Sequence, residues 1–383
     1  MVAGKDQPSC ESVWLACRER RFSDDAMVAT LAAPITELQR LEPRMNTPTS
    51  STPTVLVLGA NGRLGLAAAQ AFAAAGWQVL AQVRREAAPG MPASARLLRT
   101  PVGDTAALAL QAAGARVVVH ALNPSDYGRW KRDAMPLLQA ALDLAQALDA
   151  RLMLPGNVYN YGLHLSVPTR EDAPQRPHTA HGRIRVAMEA EIERRCRAGA
   201  LRATVLTAGD FYGAGSGTWF DQAILKPLAK GRLVYPGALD VPHAWAYLPD
   251  LARAFVGLAE AAEAGALADF ARFHFAGHTL TGAQVLDGVE RAAAQLGLAV
   301  PAGGCKRGGM PWGLIRVLGL FVPTMRALAD MSYLWRVPHG LDDAPLRAVL
   351  GPLLTTPVEQ ALAETVRAAM LQKTAVQHAM AAG

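Results

Sequence analysis

From Thr54 onward the chain alternates between two hydrophobic patterns. Thr54–Leu58 is a short β-branched apolar run, which predicts a strand. Arg63–Ala75 is rich in alanine, contains no breaker and is closed by Gly76, which predicts a helix with a glycine stop. Strand patterns recur at Gln78–Val83, Leu97–Leu98, Val117–His120 and Arg151–Leu154, and a long helical pattern covers Lys131–Ala150. A helix at Gly182–Ala198 then leads to a strand at Ala203–Leu206. This alternation predicts an α/β fold on a doubly wound parallel sheet of Rossmann type, because parallel neighbours need a crossover between them. No internal repeat interrupts it.

Residues 1–53 break the pattern. They show no period and end in a Pro/Ser/Thr-rich run, Met45–Pro53, with the composition of a linker. The folded unit is expected to begin at Thr54. Residues 1–53 are then either a disordered tail or an over-long gene start, with Met45 as the true initiator.

Composition narrows the class. At 383 residues and 51% hydrophobic, the chain can bury one large core or two unequal lobes. The net charge is +6 with acids and bases mixed, and no dense basic block points to nucleic acid. Cys10, Cys17, Cys196 and Cys305 are scattered, with no Cys-x-x-Cys pair, so a reduced cytoplasmic chain without a metal site is expected. The first residues lack the apolar core of a signal peptide. No uncharged apolar stretch reaches about 18 residues, so no membrane span is expected. Trp312–Val322 comes nearest and is broken by Arg316.

The turn after the first strand points to a ligand. Gly59, Gly62 and Gly65 stand at G-x-x-G-x-x-G spacing around Ala60, Asn61, Arg63 and Leu64. Gly59 permits a tight turn, Gly62 lets the backbone approach a pyrophosphate, and Gly65 lets the helix pack close to the sheet. The N–H groups that open the helix add partial positive charge for the phosphates. Dinucleotide binding is expected, with Asn61, Arg63 and Leu64 counted among the cofactor residues. The second strand ends without an Asp; Val83 is followed by Arg84 and Arg85. A guanidinium there suits a 2′-phosphate, and Arg63 adds a second cation, so NADP(H) is expected over NAD(H). Arg84 and Arg85 also read as solvated loop charges. Asp104 is a candidate for the adenine amino group or a plain loop residue. Ala121 leaves the fourth strand at the crevice end, followed by Asn123, Tyr127 and Trp130 as candidate site residues.

The glycine spacing, the Val102-Gly103-Asp104 step, Val158-Tyr159 and Asp210-Phe211-Tyr212-Gly213 resemble the extended short-chain dehydrogenases/reductases. That family holds NAD(P)-dependent sugar epimerases, dehydratases and dihydroflavonol-type reductases. Pro242–Ala252 is similar to its late v-D-D-v-A segment, and Thr355–Glu359 to its C-terminal T-p-x-E segment. The resemblance implies a nucleotide-binding domain over residues 54–210 and a smaller substrate lobe over 211–383, with residues near 240–262 returning to the first domain. It also implies a small-molecule substrate and a possible homodimer.

The family's chemistry uses a Ser or Thr, a Tyr and a Lys. Counting back from Tyr159, the hydroxyl place falls on Pro155; the Tyr place falls on His181 and the Lys place on Arg185. Every member is replaced. A literal Tyr-x-x-x-Lys, Tyr127 to Lys131, precedes the fifth strand, in the wrong order for the triad.

The replacement set keeps options open. A His titrates near neutrality, with a pKa of about 6.5 against about 10 for Tyr, and can move a proton without help. Arg185 is a permanent cation for ribose hydroxyls or a phosphate, and would disfavour the imidazolium of a close His181. Asn157 can replace the lost hydroxyl's hydrogen bond to a carbonyl. The catalytic candidates are His181, Arg185 and Asn157. The substrate candidates are Asn123, Tyr127, Trp130, Tyr161 and Tyr212. His181 also reads as a partly exposed residue at a helix start.

Two functions follow. One is an NADP(H)-dependent oxidoreductase or epimerase-like enzyme that moves a hydride to or from a carbonyl or alcohol with non-standard acid/base residues. The other is an inactive NADP(H)-binding sensor or scaffold. The substrate lobe favours the first and the lost triad the second. Gly308–Trp335 is read first as a core helix pair broken at Pro323, ahead of a flap over an apolar substrate or a membrane-surface contact.

Overall fold

Seven short apolar runs pair, all in parallel, into one sheet. The structure, a computed structural model, describes residues 52–124, 127–215, 217–298 and 300–381, without the side chains of Tyr127 and of 372–381. The tail or gene-start reading of residues 1–53 falls almost wholly outside the described residues.

The first part of the chain runs β1 (Thr54–Leu58), α1 (Arg63–Ala74), β2 (Gln78–Gln82), β3 (Arg96–Leu98), α2 (Thr105–Gln111), β4 (Ala115–His120), α3 (Trp130–Ala147), β5 (Arg151–Asn157), α4 (Ala180–Arg197) and β6 (Arg202–Ala208). It continues through β7 (Asp210–Tyr212), β8 (Arg232–Tyr235), β9 (Pro242–Tyr247), α5 (Leu248–Glu263) and β10 (Phe270–Phe275). Last come β11 (His278–Thr281), α6 (Gly282–Gln295), β12 (Lys306–Gly309), α7 (Trp312–Leu318), α8 (Pro323–Asp330), α9 (Ala344–Leu350) and α10 (Val358–Ala381).

The main sheet has the order β10-β6-β5-β4-β1-β2-β3. It is the doubly wound parallel sheet that the alternation predicts, and its order reverses between β1 and β4, where such sheets bind ligands. The strands read as continuous apolar runs because both faces are covered. Val55 and Val57 pack into the core shared with α1 and α5, while Leu56 and Leu58 pack against α2, α3 and α4.

β5 extends beyond the predicted run, through Pro155 to Asn157. A proline inside a central strand removes a ladder donor. Here the β4 ladder ends at the Val119–Met153 pair, so Pro155 lies past the point where its missing N–H would be needed on that side. β10 is a seventh strand that the pattern does not predict.

The smaller lobe holds two short sheets, β11-β9-β7 and β12-β8. Tyr212, Phe220, Tyr235, Trp245 and Trp335 form its aromatic core with α6 and the start of α10. The helix after β9 returns to the large sheet, where α5 shares the α1 core. Gly308–Trp335 divides in two. Met331–Trp335 is buried as a core segment should be, but most of Leu314–Val322 faces outward, which corrects the reading of the whole stretch as core. α7 is only seven residues long and buries Ile315 alone, too little surface to hold a second apolar face inward.

Candidate functional site

The glycine turn is shaped by backbone contacts. Gly59 has φ +73°, and its N–H donates to Gln82 Oε1 at 3.2 Å. The N–H of Ala60 donates to the Gln82 carbonyl at 3.0 Å and that of Gly62 to the Gly59 carbonyl at 2.8 Å. A Cβ on Gly65 would lie 2.3 Å from the Gly59 carbonyl oxygen, and one on Gly59 would lie 3.1 Å from that of Ala121. Leu64 is buried in the α1 core. Gly62 caps α1 without a side-chain bond, and the first turn of α1 carries no acid. Its opening N–H groups therefore meet no side-chain cap from Gly62 and no acid within their own turn, which fits a dinucleotide's phosphates.

The side chains around the turn divide sharply. Asn61 is a clip: its Nδ2 donates to the Glu86 carbonyl at 2.7 Å and its Oδ1 accepts from Ala88 N at 2.8 Å. It holds the loop that carries Arg84. Arg63 turns toward the lobe, donating to Asp221 Oδ1 at 2.7 Å, Thr218 Oγ1 at 2.9 Å and the Gly213 carbonyl at 3.2 Å. Burial lowers its pKa, and the Asp221 carboxylate works against that shift. Arg84 and Arg85 are exposed and make no ion pair among the described residues, and Glu86 is taken by Arg99 at 2.7 Å. Asp104 caps α2, its Oδ1 accepting from Ala107 N at 3.2 Å.

A second group of residues gathers where α3 and α4 begin. His181 lies in the first turn of α4, 5% exposed, so it is buried and not the partly exposed helix start of the alternative reading. Thr179 caps this helix, its Oγ1 accepting from Gly182 N at 3.1 Å. A Cβ on Gly182 would lie 2.5 Å from the Tyr159 carbonyl oxygen, so α4 is pressed against the turn that follows β5. The Trp130 ring lies 5.2 Å from that of His181. One turn along α4, the Arg185 guanidinium lies 4.9 Å over the Trp130 ring and donates to the Pro155 carbonyl at 3.2 Å. α4 is thus bonded directly to the backbone of β5 through Arg185 and Pro155. Asn157 Oδ1 accepts from Tyr159 N at 3.0 Å, which leaves the amide NH₂ as its donor. Asn123 is exposed and lines a small cleft with Trp130, Arg185 and His120. Tyr127 opens a short 3-10 turn, and its side chain lies outside the described residues.

His120 is the residue that the sequence reading missed. It ends β4, is 2% exposed, and its Nδ1 has no hydrogen-bond partner among the described residues. Burial, with the Arg185 charge behind it, pulls its pKa down to about 3. The only available signal was a polar residue closing an apolar strand at the crevice end.

Tyr161 and Tyr212 point into cores. His274 donates through Nδ1 to the Thr169 carbonyl at 3.0 Å, so its Nε2 accepts from the Tyr161 hydroxyl at 2.7 Å. His278 donates through Nε2 to the Thr356 carbonyl at 2.9 Å and accepts from the Tyr212 hydroxyl at 2.6 Å. Burial raises the pKa of both tyrosines, so they are neutral donors already committed to histidines. A further polar cluster lies in the lobe, announced by no motif. His243 Nε2 bonds to Asp210 Oδ2 at 2.9 Å, and its ring stacks on Trp335 at 4.3 Å. The Tyr333 hydroxyl and His339 Nε2 are buried without partners among the described residues.

Comparison with known proteins places this geometry in context. The model of the NAD dependent epimerase/dehydratase family matches residues 55–270. Over 185 residues the chain is 30% identical to dTDP-6-deoxy-L-talose 4-dehydrogenase (NAD(P)(+)) of Kitasatospora kifunensis, covering 45% of this chain. The match spans 56% of that curated relative, little more than half its length. UDP-glucose-4-epimerase of Stenotrophomonas maltophila, solved with NAD and formylated UDP-arabinopyranose, superposes with a TM-score of 0.67 at 14% identity, over 84% of this chain and 99% of its own. WbmH of Bordetella bronchiseptica in complex with NAD+ gives 0.63 at 17% identity, over 83% and 98%. At these identities the two structures establish the shared Rossmann-type fold.

Proposed function

The chain belongs to the NAD-dependent epimerase/dehydratase family, and from that premise we propose that it is a nicotinamide-dinucleotide oxidoreductase or epimerase with NADP(H) preferred over NAD(H). Its substrate is an alcohol or carbonyl of a small sugar-nucleotide-like molecule, the class named for the relatives above. The observation that carries the reading is the glycine turn that opens α1: Gly59 takes φ +73°, and the helix N-terminus pressed close behind it has no side-chain cap and no acid in its first turn. The NADP(H) preference rests on Arg84, exposed, without an ion-pair partner among the described residues, and held on a loop by the Asn61 clip.

A bound nicotinamide dinucleotide supplies or accepts the hydride. The chain's own residues handle the proton and the oxygen. His181 gives or takes the proton of the reacting hydroxyl. The Asn157 NH₂ donates to the carbonyl oxygen as charge develops on it. Arg185, fixed between the Trp130 face and the Pro155 carbonyl, contributes a positive charge that needs no titration. His120 stays neutral beside that cation, so it adds no second positive charge to the cleft.

The alternative, an NADP(H)-binding sensor or scaffold without turnover, draws on Pro155, which brings no hydroxyl to the place where the family's chemistry uses one. Calorimetric titration of the full chain with NADPH and NADH, followed by turnover assays with dTDP- and UDP-hexoses, separates the readings. The enzyme reading expects NADPH to bind roughly tenfold or more tightly than NADH, and cofactor absorbance to change with at least one hexose. Binding without turnover supports the sensor, and binding of neither cofactor overturns both.

A further inference from the structure

Leu314, Val317, Leu318, Leu320, Phe321 and Val322 are 59, 56, 41, 67, 81 and 42% exposed. Single exposed apolar side chains are ordinary, whereas a contiguous run of them marks a contact surface. This run covers the outer side of α7 and the turn into α8. The hairpin is fastened from within. Trp312 Nε1 donates to the Pro236 carbonyl at 2.6 Å, Ile315 is buried, and Arg326 donates to the Gly319 and Leu320 carbonyls at 2.9 and 3.1 Å. The turn is therefore held in shape with Leu320, Phe321 and Val322 outside.

Charge identifies the partner. Between Glu290 and Asp330 the chain has no acid, while Arg291, Lys306, Arg307, Arg316 and Arg326 all fall there. Arg307 is compensated by Asp287 and Glu290. Lys306 and Arg316 are exposed and make no ion pair among the described residues. A second copy docked on this face would bring cation against cation with no acid from the segment to offset them. An anionic lipid surface complements both the apolar tip and the free cations.

We propose that the α7–α8 hairpin is a membrane-surface anchor, with Leu320, Phe321 and Val322 entering the acyl boundary of an anionic bilayer and Arg316 meeting its headgroups. The attachment is peripheral, since no helix among the described residues is long and apolar enough to cross a membrane.

The test is flotation of the full chain with vesicles of phosphatidylcholine, alone or with phosphatidylglycerol added. The chain is expected to float with the anionic vesicles, less so as salt rises. Leu320→Asp with Phe321→Asp should lower the bound fraction roughly tenfold or more, and Arg316→Glu by less. An unchanged melting midpoint shows that these exposed changes leave the fold intact. Phe321→Trp should shift its emission to the blue on anionic vesicles alone. Absence of flotation overturns the proposal, as does flotation that the double variant does not reduce. A wild-type dimer that Phe321→Asp converts to monomer would assign the face to a second copy instead.

Discussion

The glycine turn after β1 and the cleft at the head of α4 share the carboxyl edge of one sheet, yet different parts of the chain build them. The turn is made of backbone. Gly59, Gly62 and Gly65 contribute space, and the helix N-terminus contributes the charge. The cleft is made of side chains: His120, Trp130 and Arg185 line it, and His181 packs behind the Trp130 ring, while β5 and α4 supply only the frame. A site defined by backbone approach tolerates little change, because a Cβ on Gly65 collides with backbone and one on Gly59 or Gly62 would sit 3.1 Å from a carbonyl oxygen. A site defined by side chains can exchange its chemistry while strand and helix stay in place, and Pro155, His181 and Arg185 stand where the resemblance puts a hydroxyl, a phenol and an amine.

The contrast can be broken most directly at Gly65. Gly65→Ala places a Cβ 2.3 Å from the Gly59 carbonyl oxygen. The variant should lose about 3 kcal/mol of stability by denaturant titration and all calorimetric binding of NADPH. Normal binding would show that the turn is not a cofactor cradle. The cleft should behave in the opposite way. His181→Asn should leave NADPH affinity unchanged and lower kcat on the order of 10²–10⁴-fold, and an unaltered rate removes His181 from proton transfer.

Acid should separate the two regions further. Burial holds His120, His274 and His339 neutral, with pKa values pulled to about 3, 4 and 3. An unfolded histidine protonates near pH 6.5, so the unfolded chain takes up protons that the folded chain refuses as pH falls from about 6.5 toward 3. Their contribution to stability is complete above that window and is lost within it. At pH 5 each should cost about 2 kcal/mol relative to neutral pH. A His120→Gln variant should lose less stability between pH 7 and pH 5 than the wild type, and equal losses would show that His120 titrates normally. The smallest effect belongs to the rim of the turn. Arg84→Ala should weaken NADPH about tenfold and leave NADH nearly unchanged, whereas equal weakening would make Arg84 a general contact and not a reader of the 2′-phosphate.

Most of the large sheet was legible in the chain. β1 and the start of α1 fall where the hydrophobic pattern puts them, and α4 begins within two residues of its predicted start. β10 was missed because Phe270–Phe275 mixes Arg272 and His274 with its aromatics, and it is a strand only because β6 offers an edge. The two C-terminal segments were recognised separately, but their meeting was not visible. Asp250 Oδ2 accepts from Thr356 N, and Oδ1 from Thr356 Oγ1, each at 2.7 Å across 106 residues. The outward face of α7 was read as core because Trp, Leu and Val mark burial in a sequence, and composition carries no direction.

The sequence by itself determined the alternating fold and the glycine turn, and it put Pro155, His181 and Arg185 where the resemblance implies the three usual catalytic side chains. These depend on periodicity, φ angles and residue identity, all of which are local. The tertiary structure alone decided that Arg63 serves Asp221 and that His120 lies beside Arg185. It alone brought Asp210 to His243 and left Leu314–Val322 uncovered. Those are pairings or exposures created when distant segments pack, and long-range packing leaves no period in the chain that makes it.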